Sequence, residues 1–187
     1  MSDLPIPGAV DKTRSAKLLV AGVGNVLKAD DAFGVTVVNE ILKSGFHHSE
    51  VTVMETGIGG ISMIQELMLP YQGLVVVDAY QGGKPPGSLS VLEPTVERIE
   101  MDIHETRDYF ADTHYATPAR VLQFLKSIQR VPDFLRIVGC EPENVDEYTM
   151  RMSDTVSSAI PQAVSMVLEI IDHFLKPAAP AGAAPTQ

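Results

Sequence analysis

The segment Gly73-Leu-Val-Val-Val-Asp78 constrains this chain more than any other feature. A run that is apolar at every position has no solvent face, so it predicts a strand covered on both sides, as at the centre of a parallel sheet. It ends on a carboxylate, which is costly beside a core unless it is hydrogen-bonded or metal-bound. Asp78 is therefore a candidate functional residue on physical grounds alone.

The rest of the chain supplies the elements that would cover such a strand. A strand over 17–23 runs through the turn Gly24-Asn25 into a helix over 31–43, with Val35, Val38, Ile41 and Leu42 on one stripe. A second strand, 51–55, leads through Thr56-Gly57-Ile58-Gly59-Gly60 to Ile61, Ile64, Leu67 and Met68 at helical spacing, and Pro70 stops that helix. After the central strand, a turn over 82–87 enters a strand over 88–92 that lies at an edge or runs antiparallel. A long acidic stretch, 94–113, precedes a helix over 116–129 carrying Val121, Leu122 and Leu125. A strand over 135–140 and an amphipathic helix over 154–175, N-capped by Ser153 or Asp154, complete the series. Strands alternating with helices predict an α/β fold: a single three-layer domain over 17–175 with a twisted, mostly parallel sheet and helices on both faces. Residues 1–16 and the Pro/Ala tail 176–187 carry no periodicity and are expected to be a mobile segment and a disordered tail.

Bulk properties narrow the function classes. With 187 residues and 45% hydrophobic content, one domain can bury a single core. A net charge of -10 disfavours nucleic acid and anionic membrane surfaces as partners. The one cysteine, Cys140, lies in an apolar strand pattern, which excludes an internal disulfide and a CxxC framework and makes it a packing residue. No signal-peptide pattern opens the chain, and its apolar runs fall well short of the roughly 18–20 residues that cross a bilayer. The expectation is a cytoplasmic monomer without membrane insertion.

Three side chains stand where open α/β sheets gather their chemistry: Asp31, Asp78 and His114, each after an apolar strand or just ahead of a helix. Two carboxylates and an imidazole in one crevice make a borderline metal site with room for a substrate. Of the pair Asp30-Asp31, one can cap the helix while its neighbour points into the crevice, which selects Asp31 as the ligand. A position before a helix lowers the pKa of His114 and keeps it neutral, as a ligand must be. His47 and His48 read as surface residues, His104 as an outside candidate for substrate contact, and His173 as a favourable charge near a helix end. Gly22-Val-Gly24-Asn25-Val-Leu27 opens like a dinucleotide fingerprint, with Glu55 where a ribose-binding carboxylate would stand. Its third glycine is replaced by Leu27, and Asp30-Asp31 at the helix start would repel a phosphate. Serine-elbow, zincin and catalytic-cysteine patterns are missing from the sequence.

Taken together, Gly22-Val-Gly-Asn25-Val-Leu-Lys-Ala-Asp-Asp31-Ala-Phe-Gly34-Val35, Glu55-Thr-Gly57, Val77-Asp78-Ala79 and Thr113-His114 resemble the [NiFe]-hydrogenase maturation endopeptidases across about 17–175. The resemblance implies that Asp31, Asp78 and His114 are the metal-binding set, with Asp31 and Asp78 also catalytic. It implies roles in substrate recognition for Glu55 and Gly57. Two departures are visible: the first ligand is an aspartate where some members have glutamate, and Ala32 replaces a glycine that many carry. The implied activity is an aspartyl-type endopeptidase step that removes the C-terminal extension of a nickel-loaded hydrogenase large-subunit precursor. The resemblance implies that nickel comes with the substrate, and with two carboxylates among the donors it is not expected to be retained by the resting enzyme. Either the nickel polarises the carbonyl or activates water, or a carboxylate acts as general base; the sequence leaves both open. The same side chains would serve a non-catalytic nickel-binding chaperone or proofreading factor. A nucleotide-dependent enzyme would instead bind NAD or FAD, which is not expected. The 94–113 segment and the Gly57-Gly60 turn are the places where a partner is expected to dock.

Overall fold

A computed structural model describes residues 17–58, 61–97 and 117–176. The expected end segments 1–16 and 177–187, most of the 94–113 stretch, His104 and His114 lie outside the described residues. The described elements are β1 (Leu18–Val23), a 3-10 turn (Ala29–Ala32), α1 (Phe33–Lys43), β2 (Val51–Gly57), α2 (Ile61–Glu66), β3 (Gly73–Ala79), β4 (Leu89–Leu92), α3 (Pro118–Ser127), β5 (Phe134–Cys140) and α4 (Asp154–Leu175).

Among the described residues the strands form one sheet in the order β2-β1-β3-β5-β4. Its first four strands are parallel and β4 is an antiparallel edge, so both properties foreseen for the 88–92 strand hold together. Alternate residues of each strand feed two separate cores, because successive side chains leave opposite faces. Leu18, Val20, Val75, Val77, Val138 and Cys140 pack with α1 and α4. Leu19, Ala21, Leu74, Val76 and Leu135 pack with α2 and α3. The three-layer architecture follows from this division. Leu74, Val75, Val76 and Val77 are all fully buried, and each such side chain contributes roughly 1.5–3 kcal/mol. That is enough for β3 to tolerate an awkward carboxylate near its end.

Several local readings change. The helix expected from residue 31 begins as a 3-10 turn, and α1 proper starts at Phe33. Its buried stripe is Val35, Val37, Val38 and Ile41, while Leu42 is 44% exposed, because the covered face follows residues 34, 37, 38 and 41. In the second helical segment Met63 and Leu67 are buried and Met68 faces outward, since α2 stops at Glu66 and the chain then turns. Asp78 is the penultimate residue of β3 and not its last. By contrast, α4 and its Ser153 cap match expectation, the hydroxyl accepting from the Val156 N–H at 3.3 Å. Cys140 is a buried free thiol pushed up to about 11 by burial and by the Asp30 and Glu141 charges, which suits an inert packing residue.

The glycines of the first loop are explained by contact between helix and sheet. A Cβ on Gly34 would meet the Val77 carbonyl oxygen at 2.1 Å and that of Val23 at 2.4 Å, so α1 sits directly on the ends of β1 and β3. Gly34→Ala must push α1 off the two strands that carry the candidate site. The expected cost is roughly 2–3 kcal/mol, in the range of overpacked cores, with a matching fall in activity. Chemical denaturation at fixed pH checks the first, and an unchanged midpoint would contradict the close packing.

Candidate active site at the switch point of the sheet

From β1 the chain crosses α1 to β2 on one side, then returns through α2 to β3 on the other side of β1. The order therefore reverses between β1 and β3, and the crevice beyond the carboxyl ends of those two strands is where open α/β sheets bind ligands. Asp31 follows β1 and Asp78 stands near the end of β3, so both expected carboxylates reach this crevice.

Asp31 is held by its own loop. Its Oδ2 accepts the Asn25 N–H at 2.9 Å, Asn25 Oδ1 accepts the Leu27 N–H at 2.9 Å, and the Asp31 N–H donates to the Lys28 carbonyl at 2.9 Å. Gly24 makes the tight approach possible: at φ +138° it passes so close that a Cβ would lie 1.8 Å from the Asp31 carbonyl oxygen. Burial raises the Asp31 pKa, opposed by the Asn25 N–H and the Lys28 charge. Asp78 is affected far more. Burial, and then repulsion from Asp31, push it up to about 8, against the Ala79 N–H. Two carboxylates this crowded hold a proton more tightly than either would alone, and a cation seated between them would offset the same repulsion in competition with that proton. Among the described residues no three His, Cys, Asp or Glu side chains gather into a metal-binding group. Of the three expected donors, Asp31 and Asp78 stand in the crevice and His114 lies outside the described residues.

Asp30 is not the helix cap that the sequence allowed. It is fully buried, and no side chain caps the 3-10 turn. Its Oδ2 accepts the Glu143 and Asn144 N–H groups at 2.8 and 2.9 Å and the Ser153 hydroxyl at 3.1 Å, while Oδ1 accepts the Ser153 N–H at 2.7 Å. Burial alone would raise its pKa, but these bonds prevail and lower it. Adjacent Ala29, in the left-handed region at φ +39°, is secured by its N–H to the Thr149 carbonyl at 2.8 Å. The two neighbouring aspartates thus divide the work: Asp30 fastens the 143–153 loop, and Asp31 faces the crevice.

Glu55 and Gly57 stand at the end of β2, beside the loop that carries Asp31. Glu55 is exposed on the edge strand β2, opposite Gly22, and accepts from Asn39 Nδ2 at 3.1 Å. Gly57 takes φ +61°, and its carbonyl accepts the Gly24 N–H at 3.3 Å, tying the β2 end to the Asp31 loop. His48 holds a local turn, its Nδ1 accepting the Glu50 N–H at 3.2 Å, and His173 stacks near Phe134 with ring centroids 6.4 Å apart. Sequence reasoning passed over Glu141 and Tyr80. Glu141 accepts the Gly82 and Gly83 N–H groups at 2.7 and 3.1 Å. An acidic residue directly after a buried strand was the available signal for it.

Fold and crevice together define a class: doubly wound α/β proteins with two acidic side chains at the switch point of the sheet. Residues 35–170 match the family model described as hydrogenase maturation protease. The hydrogenase expression/formation protein HupD of Rhizobium leguminosarum bv. viciae is 27% identical over 173 residues, 90% of this chain and 80% of that protein. The hydrogenase 2 maturation peptidase from Thaumarchaeota archaeon SCGC_AB-539-E09 is 28% identical, with a TM-score of 0.58 over 86% of this chain and 99% of that one. The hydrogenase maturating endopeptidase HybD from E. coli, 24% identical, shares the fold with a TM-score of 0.63 over 84% and 93% of the two chains. The chain belongs to the hydrogenase maturation protease family and is a peptidase of the hydrolase class.

Proposed function

We propose that this protein is the endopeptidase that removes the C-terminal extension of a nickel-loaded [NiFe]-hydrogenase large-subunit precursor, and that nickel within the precursor is the feature it recognises. The observation that carries the reading is the coupling of Asp31 and Asp78 in the switch-point crevice. Asp31, Asp78 and His114 grip the nickel that arrives inside the precursor. Two carboxylates are unselective donors, so a set of this kind binds weakly on its own and releases the metal with the product. Gripping the nickel positions the scissile bond, and positioning is a large source of rate.

A carboxylate oxygen of the pair that is not engaged by the nickel would be available to accept a proton from the attacking water. Glu55 and Gly57, on β2 beside the Asp31 loop, contact the precursor away from the metal. The protein acts as a cytoplasmic monomer on a protein partner; the net charge of -10 supports the absence of a nucleic-acid role, and no described helix is long and apolar enough to cross a membrane.

Purified protein mixed with nickel-loaded precursor should shorten the large subunit, read by intact mass, while metal-free precursor stays at full length. Binding of the loaded precursor without any mass change would instead favour a nickel-binding chaperone.

A further inference from the structure

A cavity of about 390 Å³ opens directly beside Asp78, walled by Tyr80, Val96, Pro118, Leu122 and Ile137. Asp78, Glu97, Thr95, Thr117 and Gln123 also line it, but most of its exposed wall is apolar, the usual make-up of a pocket that accepts a side chain. Tyr80 has a prepared seat. A Cβ on Gly139 would lie 2.9 Å from the Tyr80 Cβ, and one on Gly82 would lie 2.8 Å from its Cε1, so both positions are kept small by the ring. The Tyr80 N–H donates to the Cys140 carbonyl at 2.8 Å, and Glu141 clamps the Gly82-Gly83 turn that flanks the ring. Yet Tyr80 is 45% exposed. A large aromatic side chain fixed this firmly at the edge of a reactive crevice, and left uncovered, is equipped to meet a ligand.

We propose that this cavity is the subsite for an apolar side chain of the substrate polypeptide next to the scissile bond, with Tyr80 as its specificity-determining wall. The inference rests on the proposed endopeptidase activity. Its occupant follows from continuity: the cavity shares Asp78 with the reactive crevice. An extended chain advances about 3.3 Å per residue, so a peptide presenting its bond to Asp31 and Asp78 brings a neighbouring side chain to Tyr80. The two carboxylates in its lining, Asp78 and Glu97, work against an acidic side chain there.

The test uses nickel-loaded precursors in which the residue on each side of the cut is replaced, one at a time, by Leu or by Asp. For one of the two positions, the wild-type protein should prefer Leu over Asp by about tenfold or more in kcat/KM. Tyr80→Phe should keep that preference. Tyr80→Ala should lose most of it, through a raised KM for the Leu precursor with kcat little changed, the pattern of lost binding. Tyr80→Leu serves the same comparison if truncation costs folding, and should differ from Tyr80→Phe. No preference at either position, or a preference that survives both Tyr80→Ala and Tyr80→Leu, overturns the subsite while leaving the endopeptidase reading intact. Failure of the wild-type protein to shorten the parent nickel-loaded precursor removes both.

Discussion

Asp78→Asn should make the protein more stable at pH 9 and abolish processing at the same time. In the folded protein Asp78 titrates at about 8, well above its ordinary value of 3.8. The native state therefore holds a proton that the unfolded chain has released, and stability declines as pH rises from about 4 through 8. Above that window the full penalty of an ionised Asp78 beside Asp31 is present. Asparagine has the same shape and no charge, so it escapes the penalty. Each tenfold difference in proton affinity between the folded and unfolded chain is worth about 1.4 kcal/mol, so the relief at pH 9 is on the order of several kcal/mol. That corresponds to roughly 5 °C or more in Tm for a chain of this size. At pH 3, below the ordinary value of 3.8, Asp78 is neutral in the folded and the unfolded chain alike, and the two proteins should melt within a degree or so of each other. Thermal melts at the two pH values check this; a variant less stable than wild type at pH 9 would contradict the burial and repulsion assigned to Asp78. Stability given up at a reacting position is the ordinary mark of a functional group.

Asp30→Ala should do the reverse, destabilising strongly without touching the crevice. It strips the acceptors from the Glu143, Asn144 and Ser153 N–H groups and the Ser153 hydroxyl at once. Leaving such groups unpaired beside a core is expected to cost roughly 3–5 kcal/mol. Asp30→Asn keeps one oxygen and should cost less, about 1–3 kcal/mol. Because the folded-state pKa of Asp30 is lowered, its contribution is fully present above the ordinary value of 3.8. It fades as pH falls below that value through the lowered one. Urea unfolding at pH 7 and pH 3 should show the wild-type advantage over Asp30→Asn shrinking at the lower pH. An advantage that grew instead would mean that the carboxylate is not what fastens the loop. The folded fraction of either variant should still process precursor.

The contrast between these adjacent residues shows what was legible in the sequence. The position of Asp78 could be read because an apolar strand followed by a carboxylate is a local pattern. The sheet could be read because each strand and helix announces its own period. The fastening role of Asp30 could not, because the partners that fix it lie at 143, 144 and 153, more than a hundred residues away. Leu42 and Met68 were misplaced for a related reason: periodicity gives a stripe, but the packing of α1 and the early end of α2 decide which edge of it is covered. The tight glycine Gly24 looked like part of a nucleotide signature and proves, like Gly34, to be a site where helix, loop and strand meet at backbone contact. Tyr80 carried no local signal, because its significance lies in two glycines that are remote from each other in the chain.

The most direct measurement is processing of nickel-loaded precursor by Asp31→Asn and Asp78→Asn, each first shown to be folded by its melting curve, with intact mass of the large subunit as the readout. Wild-type protein is expected to yield the shortened subunit, and both variants to leave the precursor at full mass. Shortening at the wild-type rate by either variant would contradict the claim that these two carboxylates are the working centre of the enzyme.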